Sequence, residues 1–387
     1  MTGNAFSDGL LVVGLVFLAF HFMGYPLLVR ALARRGTTVE LDTDEPFLPT
    51  ISLIIAAYNE AAVIAGKLEN SLALDYPADR LQIVVVSDGS TDETAAIAAS
   101  FAGRGVVALH DPPRNGKSAA LNRGVDAATG EIVVFSDANN DFSATALRAL
   151  AAHFVDPQLG GACGRKSITA AGDRQASEGD SLYWRYESAI KKWESDLGIM
   201  TTADGEIFAV RRELWQPIPP EVINDDAEIT FTMVNAGYRI VYEPDAVSSE
   251  LASAQLEEDF RVKVRMIAGG FQTVARHWPT LLPPRSAFAW AFLAHKLLRW
   301  LVPVLLAMVA IGSIARISTG TGAFLVVGQV LFYGIALLGW QARSRGELPR
   351  WKYVPLYFSL MNLAALLGLR RFLAGDDVTS IWQKAAR

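Results

Sequence analysis

Long apolar runs flank this chain, and between them short apolar runs alternate with amphipathic stretches. The first long run, residues 9–31, is broken only by His21 and Arg30. It can cross ~30 Å of hydrocarbon as a helix. Three more runs lie near the end: residues 297–315 with Pro303 inside, residues 323–342, and the shorter 353–369 with Asn362. A membrane helix tolerates such a proline. In the middle, residues 51–57, 81–86, 106–109 and 131–135 are short, almost wholly apolar segments. They predict strands buried on both faces. Residues 61–74, 92–101 and 118–128 have helical length. The first ends at Asp75-Tyr76-Pro77 and the third at Thr129-Gly130, and Thr91 or Asp92 suits the cap of the second. Strands alternating with helices predict an α/β fold with a mostly parallel sheet covered on both faces. Residues 177–197 and 257–277 predict two further helices. The first carries Tyr183, Trp184, Tyr186 and Trp193 among charges, which suits a core or a membrane interface.

Composition supports that mixture. Of 387 residues, 51% are apolar, and the mean hydropathy is +0.24. Both values are high for a soluble enzyme and low for a pure membrane bundle. The net charge of -5 gives no basic footprint for nucleic acid. Cys163 is the lone cysteine, which excludes an internal disulfide and a Cys-rich zinc site. Neither a Cys-His signature nor internal repeats are present.

Charge around the apolar runs predicts topology. No Lys or Arg precedes the first run, while Arg30, Arg34 and Arg35 close it. A signal peptide would show the reverse order. The positive-inside rule places the N-terminus outside and the following residues in the cytoplasm. The basic loop Arg343, Arg345, Arg350 and Lys352 is then cytoplasmic, in accord with two crossings before it. If the last run spans, the tail with Arg370, Arg371, Lys384 and Arg387 lies outside. If that run is re-entrant, or if residues 288–315 hold more than one membrane element, the tail is inside. The expected organisation is an anchor over residues 1–33 and a cytoplasmic domain over 34–254. Amphipathic interface helices over 255–295, membrane helices over 296–374 and a tail over 375–387 follow.

Polar motifs punctuate the ends of the predicted strands, where open α/β sheets bind ligands. They are Ala56-Ala57-Tyr58-Asn59-Glu60, Ser87-Asp88-Gly89-Ser90-Thr91-Asp92 and Ser136-Asp137-Ala138-Asn139-Asn140-Asp141. Asp88 can accept hydrogen bonds from a nucleotide base or ribose, or it can cap a helix. Asp137 offers a hard oxygen ligand for Mg²⁺ or Mn²⁺. Asn139 stands where an Asp-x-Asp pair would have its second acid, as a weaker neutral donor, and Asp141 is a possible substitute. Lys117, in Asn115-Gly116-Lys117-Ser118, precedes a helix and suits a phosphate, without the spacing of a P-loop. Asp225 and Asp226 precede an amphipathic segment, residues 227–236. Neighbouring carboxylates raise one another's pKa, which favours a general base. Arg265 follows Arg261 and Lys263 and can stabilise a departing diphosphate, or the three can form the basic edge of an interfacial helix.

In this order the motifs resemble those of membrane-embedded family 2 glycosyltransferases, a group that includes cellulose, chitin, hyaluronan and poly-N-acetylglucosamine synthases. The resemblance spans residues 51–272 and the flanking membrane runs. It implies a GT-A fold and inverting transfer from a nucleotide sugar, UDP-linked in the first instance, at the cytoplasmic face of a bacterial inner membrane. It implies that Tyr58 packs on the base, that Glu60 and Asp88 line the nucleotide pocket, and that Lys117 touches the diphosphate. Asp137 with Asn139 would hold Mg²⁺ or Mn²⁺. Asp226 in Asn224-Asp225-Asp226 would be the general base of the Thr-Glu-Asp motif. Ala203-Asp204-Gly205-Glu206 occupies the stretch that borders the acceptor in relatives.

One departure is large. Processive members carry Gln-x-x-Arg-Trp, and here Val262 and Met266 flank Arg265 in that frame. The stacking Trp is missing. The acceptor is therefore either a growing polysaccharide, which four membrane elements favour, or a membrane lipid. A catalytically inactive sugar-nucleotide-binding scaffold is the alternative from another class. A transporter is disfavoured, since the apolar runs lack paired broken helices.

Overall fold

The computed structural model describes residues 2–35, 47–169, 174–251, 256–343 and 348–375. In chain order, helices α1 (Thr2–Ala19) and α2 (Tyr25–Ala33) precede strand β1 (Ile51–Ala57). There follow α3 (Ile64–Leu72), β2 (Leu81–Asp88), α4 (Thr94–Ser100), β3 (Val106–Asp111), α5 (Lys117–Asp126) and β4 (Ile132–Asp137). Next come β5 (Asn140–Phe142), α6 (Ala146–Ala152), β6 (Leu159–Thr169), α7 (Arg174–Asp196), β7 (Phe208–Arg211), α8 (Asp225–Asn235) and β8 (Arg239–Leu251). The remainder is helical: α9 (Leu256–Arg276), α10 (Trp278–Leu281), α11 (Ala287–Phe292), α12 (Leu298–Ala315), α13 (Gly320–Ala342) and α14 (Arg350–Ala374).

The chain divides into two compact units, one from Met1–Leu32, Ala170–Tyr183 and Ser253–Arg387, the other from Ala33–Thr169 and Trp184–Ala252. The second unit holds one mixed sheet in the order β3-β2-β1-β4-β7-β6-β8-β5. β1 pairs in parallel with β2 and β4, and β2 with β3, as the apolar strands predict. β7 then runs antiparallel to both β4 and β6. β6 and β8 are parallel, and β5 closes the edge antiparallel to β8.

Residues of β1 and β2 alternate between two cores. Leu53, Ile55, Ile83 and Val85 bury with Leu68 of α3 and Leu147 of α6 on one face. Ile54, Val84 and Val86 bury with Leu121 of α5 and Ile229 of α8 on the other. Each such buried side chain contributes roughly 1.5–3 kcal/mol. Wrapping both faces leaves the strand ends as the open rim of the sheet.

Helix ends differ from those the sequence predicts. α3 starts at Ile64, because the chain first turns on Glu60, whose carbonyl accepts from the N–H groups of Val63 and Ile64. α4 starts at Thr94, and Asp92 Oδ1 accepts from the Thr94 N–H at 3.0 Å. The sequence leaves open whether the helix over residues 177–197 is core or interfacial. In its second half Glu187, Ile190, Lys191 and Glu194 are buried, so this half is core.

In the first unit, four helices are long and apolar enough to cross a membrane: Ala5–Ala33, Ala287–Ala315, Gly320–Ala342 and Arg350–Ala374. α14 has 25 residues, longer than its apolar run alone suggests, and includes Arg370 and Arg371. Phe324, Val327, Val330 and Leu331 of α13 are exposed, as expected of side chains facing lipid. α1 and α12 approach closely at glycines: a β-carbon on Gly312 would lie 2.9 Å from Leu11 Cβ. Arg345 and the tail residues Lys384 and Arg387 lie outside the described residues, as do the expected boundary near residue 254 and the tail from residue 376 onward.

Candidate active site

The register of the central strands assembles the site. Ala56 of β1 faces Val86 of β2 on one side and Asp137 of β4 on the other. Tyr58, Asp88 and Asp137 therefore leave the sheet at one rim, within three strands spaced ~4.8 Å apart. The loops after β1 and β2 are laced together. Asn59, with φ 54°, receives the Thr91 N–H on its side-chain oxygen at 2.8 Å and donates its own N–H to Ser90 Oγ at 3.1 Å. The Glu60 N–H donates to Thr94 Oγ1 at 2.7 Å.

Asp88 is buried and fully engaged. Its Oδ1 accepts from the Asn115 N–H at 3.0 Å and from Arg123 Nη2 at 2.7 Å, and its Oδ2 accepts from the Gly116 N–H at 2.7 Å. The sequence expectation of an acceptor for a nucleotide thus meets a carboxylate that ties the loop before α5 to β2. Arg114 of that loop lays its guanidinium over the Tyr58 ring, 3.9 Å from the centroid.

Lys117 is the first residue of α5, and its ammonium enters an acidic cluster. Nζ lies 2.9 Å from Asp137 Oδ1 and 3.4 Å from Asp225 Oδ2. Asp225 and Asp226 sit inside the first turn of α8 rather than before it, with Asn224 as the N-cap. Asp226 Oδ1 accepts from the Ala227 N–H at 2.7 Å. Gly205 completes the cluster: a β-carbon there would lie 3.3 Å from Asp226 Cβ, 3.4 Å from Asp225 Oδ2 and 3.8 Å from Lys117 Nζ. Burial, reinforced by the Asp225 charge, pushes the Asp226 carboxyl up to about 7 against the pull of Lys117. Burial alone would lower the Lys117 ammonium, but Asp137, Asp225 and Asp226 hold it well above the usual lysine range.

A buried polar network anchors the residues next to this cluster. Lys191 bonds Asp204 Oδ1 at 2.6 Å, and Lys166 bonds Glu206 Oε2 at 2.5 Å and also pairs with Glu250. These two lysines hold the loop that presents Gly205. Asn140 links the other side, accepting from Lys67 Nζ at 3.0 Å and from Ser136 Oγ at 2.9 Å, and donating to the Glu206 carbonyl at 2.9 Å. Burial pushes Lys67 down to about 7 against the carboxylates of Asp141, Asp137 and Glu206. Burial pushes Glu206 up to about 7 against Lys166. Asn139 and Asp141 line a cavity of about 550 Å³ with Lys67, Asn70 and Glu250. Sequence motifs did not mark Lys67, Arg114, Arg123, Lys166 or Lys191. Their contacts reach across the sequence, 73 positions from Lys67 to Asn140 and further from Lys166 to Glu250, and no local spacing encodes such distances.

Residues 52–216 match a family model described as glycosyl transferase family 2. The chain carries a family 2 glycosyltransferase domain. The probable glycosyltransferase YdaM of Bacillus subtilis is 28% identical over 243 residues, 59% of this chain and 57% of the relative. A poly-beta-1,6-N-acetyl-D-glucosamine synthase of Staphylococcus aureus is 28% identical over 246 residues, 61% of this chain and 58% of the relative. The chain thus spans under two thirds of the length of these relatives. Among solved structures, the mannosyltransferase PcManGT from Pyrobaculum calidifontis, in complex with GDP-Man and Mn²⁺, superposes with a TM-score of 0.72. It is 25% identical, covering 95% of this chain and 100% of that one. The glycosyltransferase domain has the GT-A fold, with the polar rim of β1, β2 and β4 as its candidate active site.

The donor set in this domain fits a hard divalent cation held jointly with a substrate. Among the described residues no group of three or more His, Cys, Asp or Glu side chains forms a ready-made cage. Asp137 offers one carboxylate at the rim, while Asn139 lines the neighbouring cavity with Lys67 and Asp141. Asp225 Oδ2 is buried without a hydrogen-bond donor. Mg²⁺ sites of this kind use one or two carboxylates and complete the shell with phosphate oxygens and water.

Arg265 lies on α9, in the first unit.

Proposed function

We propose that this protein transfers a sugar from a nucleotide sugar to an acceptor hydroxyl by a single inverting displacement, forming a β-glycosidic bond from an α-linked donor. One observation carries this: an acid pair at the start of α8, with Asp226 titrating near neutrality, stands against the Lys117–Asp137 ion pair at the sheet rim. Asp226 is placed to take a proton from the acceptor hydroxyl as that oxygen attacks the anomeric carbon. Lys117 is the cation within reach of a departing diphosphate. Tyr58 and Glu60 flank the nucleotide, and Asp88 fixes the loop that carries Lys117. Asp137 and Asn139 would hold Mg²⁺ or Mn²⁺, which supplies positive charge to the leaving diphosphate when bound. Arg265 is assigned the same task by its sequence motif. Mn²⁺ accompanies GDP-Man in the PcManGT structure, which supports a metal-dependent nucleotide-sugar donor here and leaves UDP and GDP both to be tried.

The acceptor in this proposal is a growing polysaccharide at the cytoplasmic face of a bacterial inner membrane. Support comes from the four helices able to cross a membrane and from the likeness to a poly-beta-1,6-N-acetyl-D-glucosamine synthase. Val262 and Met266 in place of the processive motif's Gln and Trp favour a second acceptor, a membrane lipid. Purified protein in native lipid, screened against UDP- and GDP-linked sugars for released nucleoside diphosphate, tests the donor. Labelled product then decides the acceptor, a ladder indicating a polymer and a single lipid-soluble product a lipid. No release from any nucleotide sugar, with intact nucleotide binding, would favour the inactive scaffold.

A further inference from the structure

The last apolar run has two fates open to it, crossing the membrane or re-entry. α1 and α12 pack antiparallel, with Leu11 beside Gly312 and Gly14 beside Val309. Asp8 pairs with Arg316 at 3.2 Å, so these two residues mark one end of the helices. α13 starts from that end, where Gln329 donates to Ser313 Oγ at 3.3 Å. It finishes at the other, where Arg343 meets Glu257 in the first turn of α9 at 3.0 Å. α14 sets off alongside the end of α13, since a β-carbon on Gly339 would lie 3.3 Å from Leu356 Cβ. Farther along, the Phe358 ring meets Phe332 of α13 at 5.6 Å and Phe22 at 6.1 Å. At 1.5 Å per residue, Phe22 and Phe332 stand ~20 Å from the Asp8–Arg316 end.

The stretch from Phe358 to Phe372 spans ~21 Å of helix, enough for a crossing helix to close that gap. Phe372 has other neighbours. Its ring stacks on Phe271 of α9 at 6.2 Å, and Phe271 packs on Trp300 at 5.5 Å. Measured along α12, Trp300 is still ~24 Å from Arg316. The second half of α14 therefore gains no depth. It runs beside α9 in the same direction: Gly368 meets Val264 and Ile267, and Phe372 meets Phe271. α9 carries Glu257, Glu258, Asp259, Arg261, Lys263 and Arg265, too many charges for hydrocarbon, and suits a membrane interface. Ala364, Ala365 and Gly368 of α14 are buried, while Leu363, Leu366, Arg370 and Leu373 share an exposed stripe on its other face.

We propose that α14 lies in the cytoplasmic leaflet against α9 instead of crossing, and that its exposed stripe is a lipid-binding surface, the leucines among acyl chains and Arg370 reaching the headgroup phosphates. The chain then crosses three times, through Ala5–Ala33, Ala287–Ala315 and Gly320–Ala342. This rests on the membrane orientation proposed above with the function. Charge agrees with it independently. Arg370 and Arg371 come to the same side as Arg343, Arg350 and Lys352, as the positive-inside rule asks. An arginine can serve such a stripe because its aliphatic stem stays among the chains while the guanidinium reaches the phosphates.

Two measurements on the full chain test this. In the first, Ser318→Cys, between α12 and α13, and Ala374→Cys, in the last turn of α14, are treated with a membrane-impermeant maleimide in intact and in permeabilised spheroplasts. Both positions are exposed, and wild type, whose Cys163 is buried, is the blank. Ser318→Cys should label in intact spheroplasts and Ala374→Cys only after permeabilisation. Labelling of both from one side overturns the inference, because two crossings would then separate them. Labelling from opposite sides in the reverse order leaves the single crossing standing and removes the cytoplasmic orientation of the proposed function. In the second, spin labels on Leu363→Cys and Leu373→Cys report depth in vesicles of phosphatidylethanolamine and phosphatidylglycerol. The two depths should differ by only a few ångströms, where a crossing helix would separate them by ~15 Å, and that larger separation overturns the inference whatever the maleimide reads.

Discussion

Arg123 of α5 donates to Asp88 at the end of β2 over 2.7 Å, and the same carboxylate receives two backbone amides of the loop between β3 and α5. Arg123 also reaches Asp111 at 2.8 Å. The pair locks the loop whose next residue is Lys117. Truncating one member of a buried pair strands the other and costs up to 3–5 kcal/mol. With Arg123 partly exposed, Arg123→Met is expected to cost about 2 kcal/mol in chemical denaturation and to weaken nucleoside diphosphate binding about tenfold. Asp88→Ala should do more of both. A full-affinity Asp88→Ala would remove the positioning role.

Asp226 is expected to give the rate its acidic limb. The base must be ionised to accept a proton, and burial with Asp225 lifts its pKa to about 7. Sugar transfer should therefore rise with pH through about 7 and level off above. Asp226→Asn should lower the rate by about 10²–10⁴ while leaving donor binding nearly unchanged. A radiolabel transfer assay across pH reads both.

The same residue should weaken the fold where it serves the chemistry. Its folded pKa stands above the ordinary carboxylate value of about 3.9. The folded protein thus binds this proton more strongly than the unfolded chain, and the group's contribution to stability falls as pH rises from about 4 to about 7. Above that window Asp226→Asn is expected to stabilise the protein by on the order of 1 kcal/mol. Thermal unfolding at pH 5 and pH 8 checks the sign: the gain should appear at the higher pH.

Lys67 predicts the opposite slope. Its folded pKa is lowered to about 7 by burial, from an unfolded value of about 10.4. The folded protein releases this proton first, so the penalty is complete below pH 7 and relieved as pH rises toward 10. Lys67→Met lacks a titrating group. Wild type should therefore gain stability relative to Lys67→Met between pH 7 and 10, and parallel curves would show that Lys67 stays charged.

Gly205→Ala adds a carbon 3.3 Å from Asp226 Cβ and 3.4 Å from Asp225 Oδ2. The loop cannot retreat easily, since the buried bridges Lys191–Asp204 and Lys166–Glu206 hold it on both sides. The expected result is a fall of about 10- to 100-fold in kcat with little change in donor KM, because the acid pair shifts relative to the reacting atoms. Steady-state kinetics in the donor separates the two.

The sequence by itself determined the central parallel strands, the helices apolar enough to cross a membrane, the rim residues Tyr58, Asp88 and Asp137, and the acid pair Asp225-Asp226. Each has a local signature: continuous apolar runs where a strand is covered on both faces, long apolar runs where a helix can cross a membrane, and polar turns at strand ends or at a helix start. It did not reveal β6 or β8. The first is rich in glycine, and the second is interrupted by Glu243-Pro244-Asp245, where its pairing with β6 shifts register. Only the tertiary structure decided that Asp88 is spent on Asn115, Gly116 and Arg123, and that Lys117 rests on Asp137. It alone placed Gly205 against the acid pair, under buried lysines from β6 and α7. Those partners lie dozens of positions apart, and the charge balance of a buried cluster depends on which side chains the packed sheet and helices bring within ~4 Å, a distance that sequence spacing does not carry.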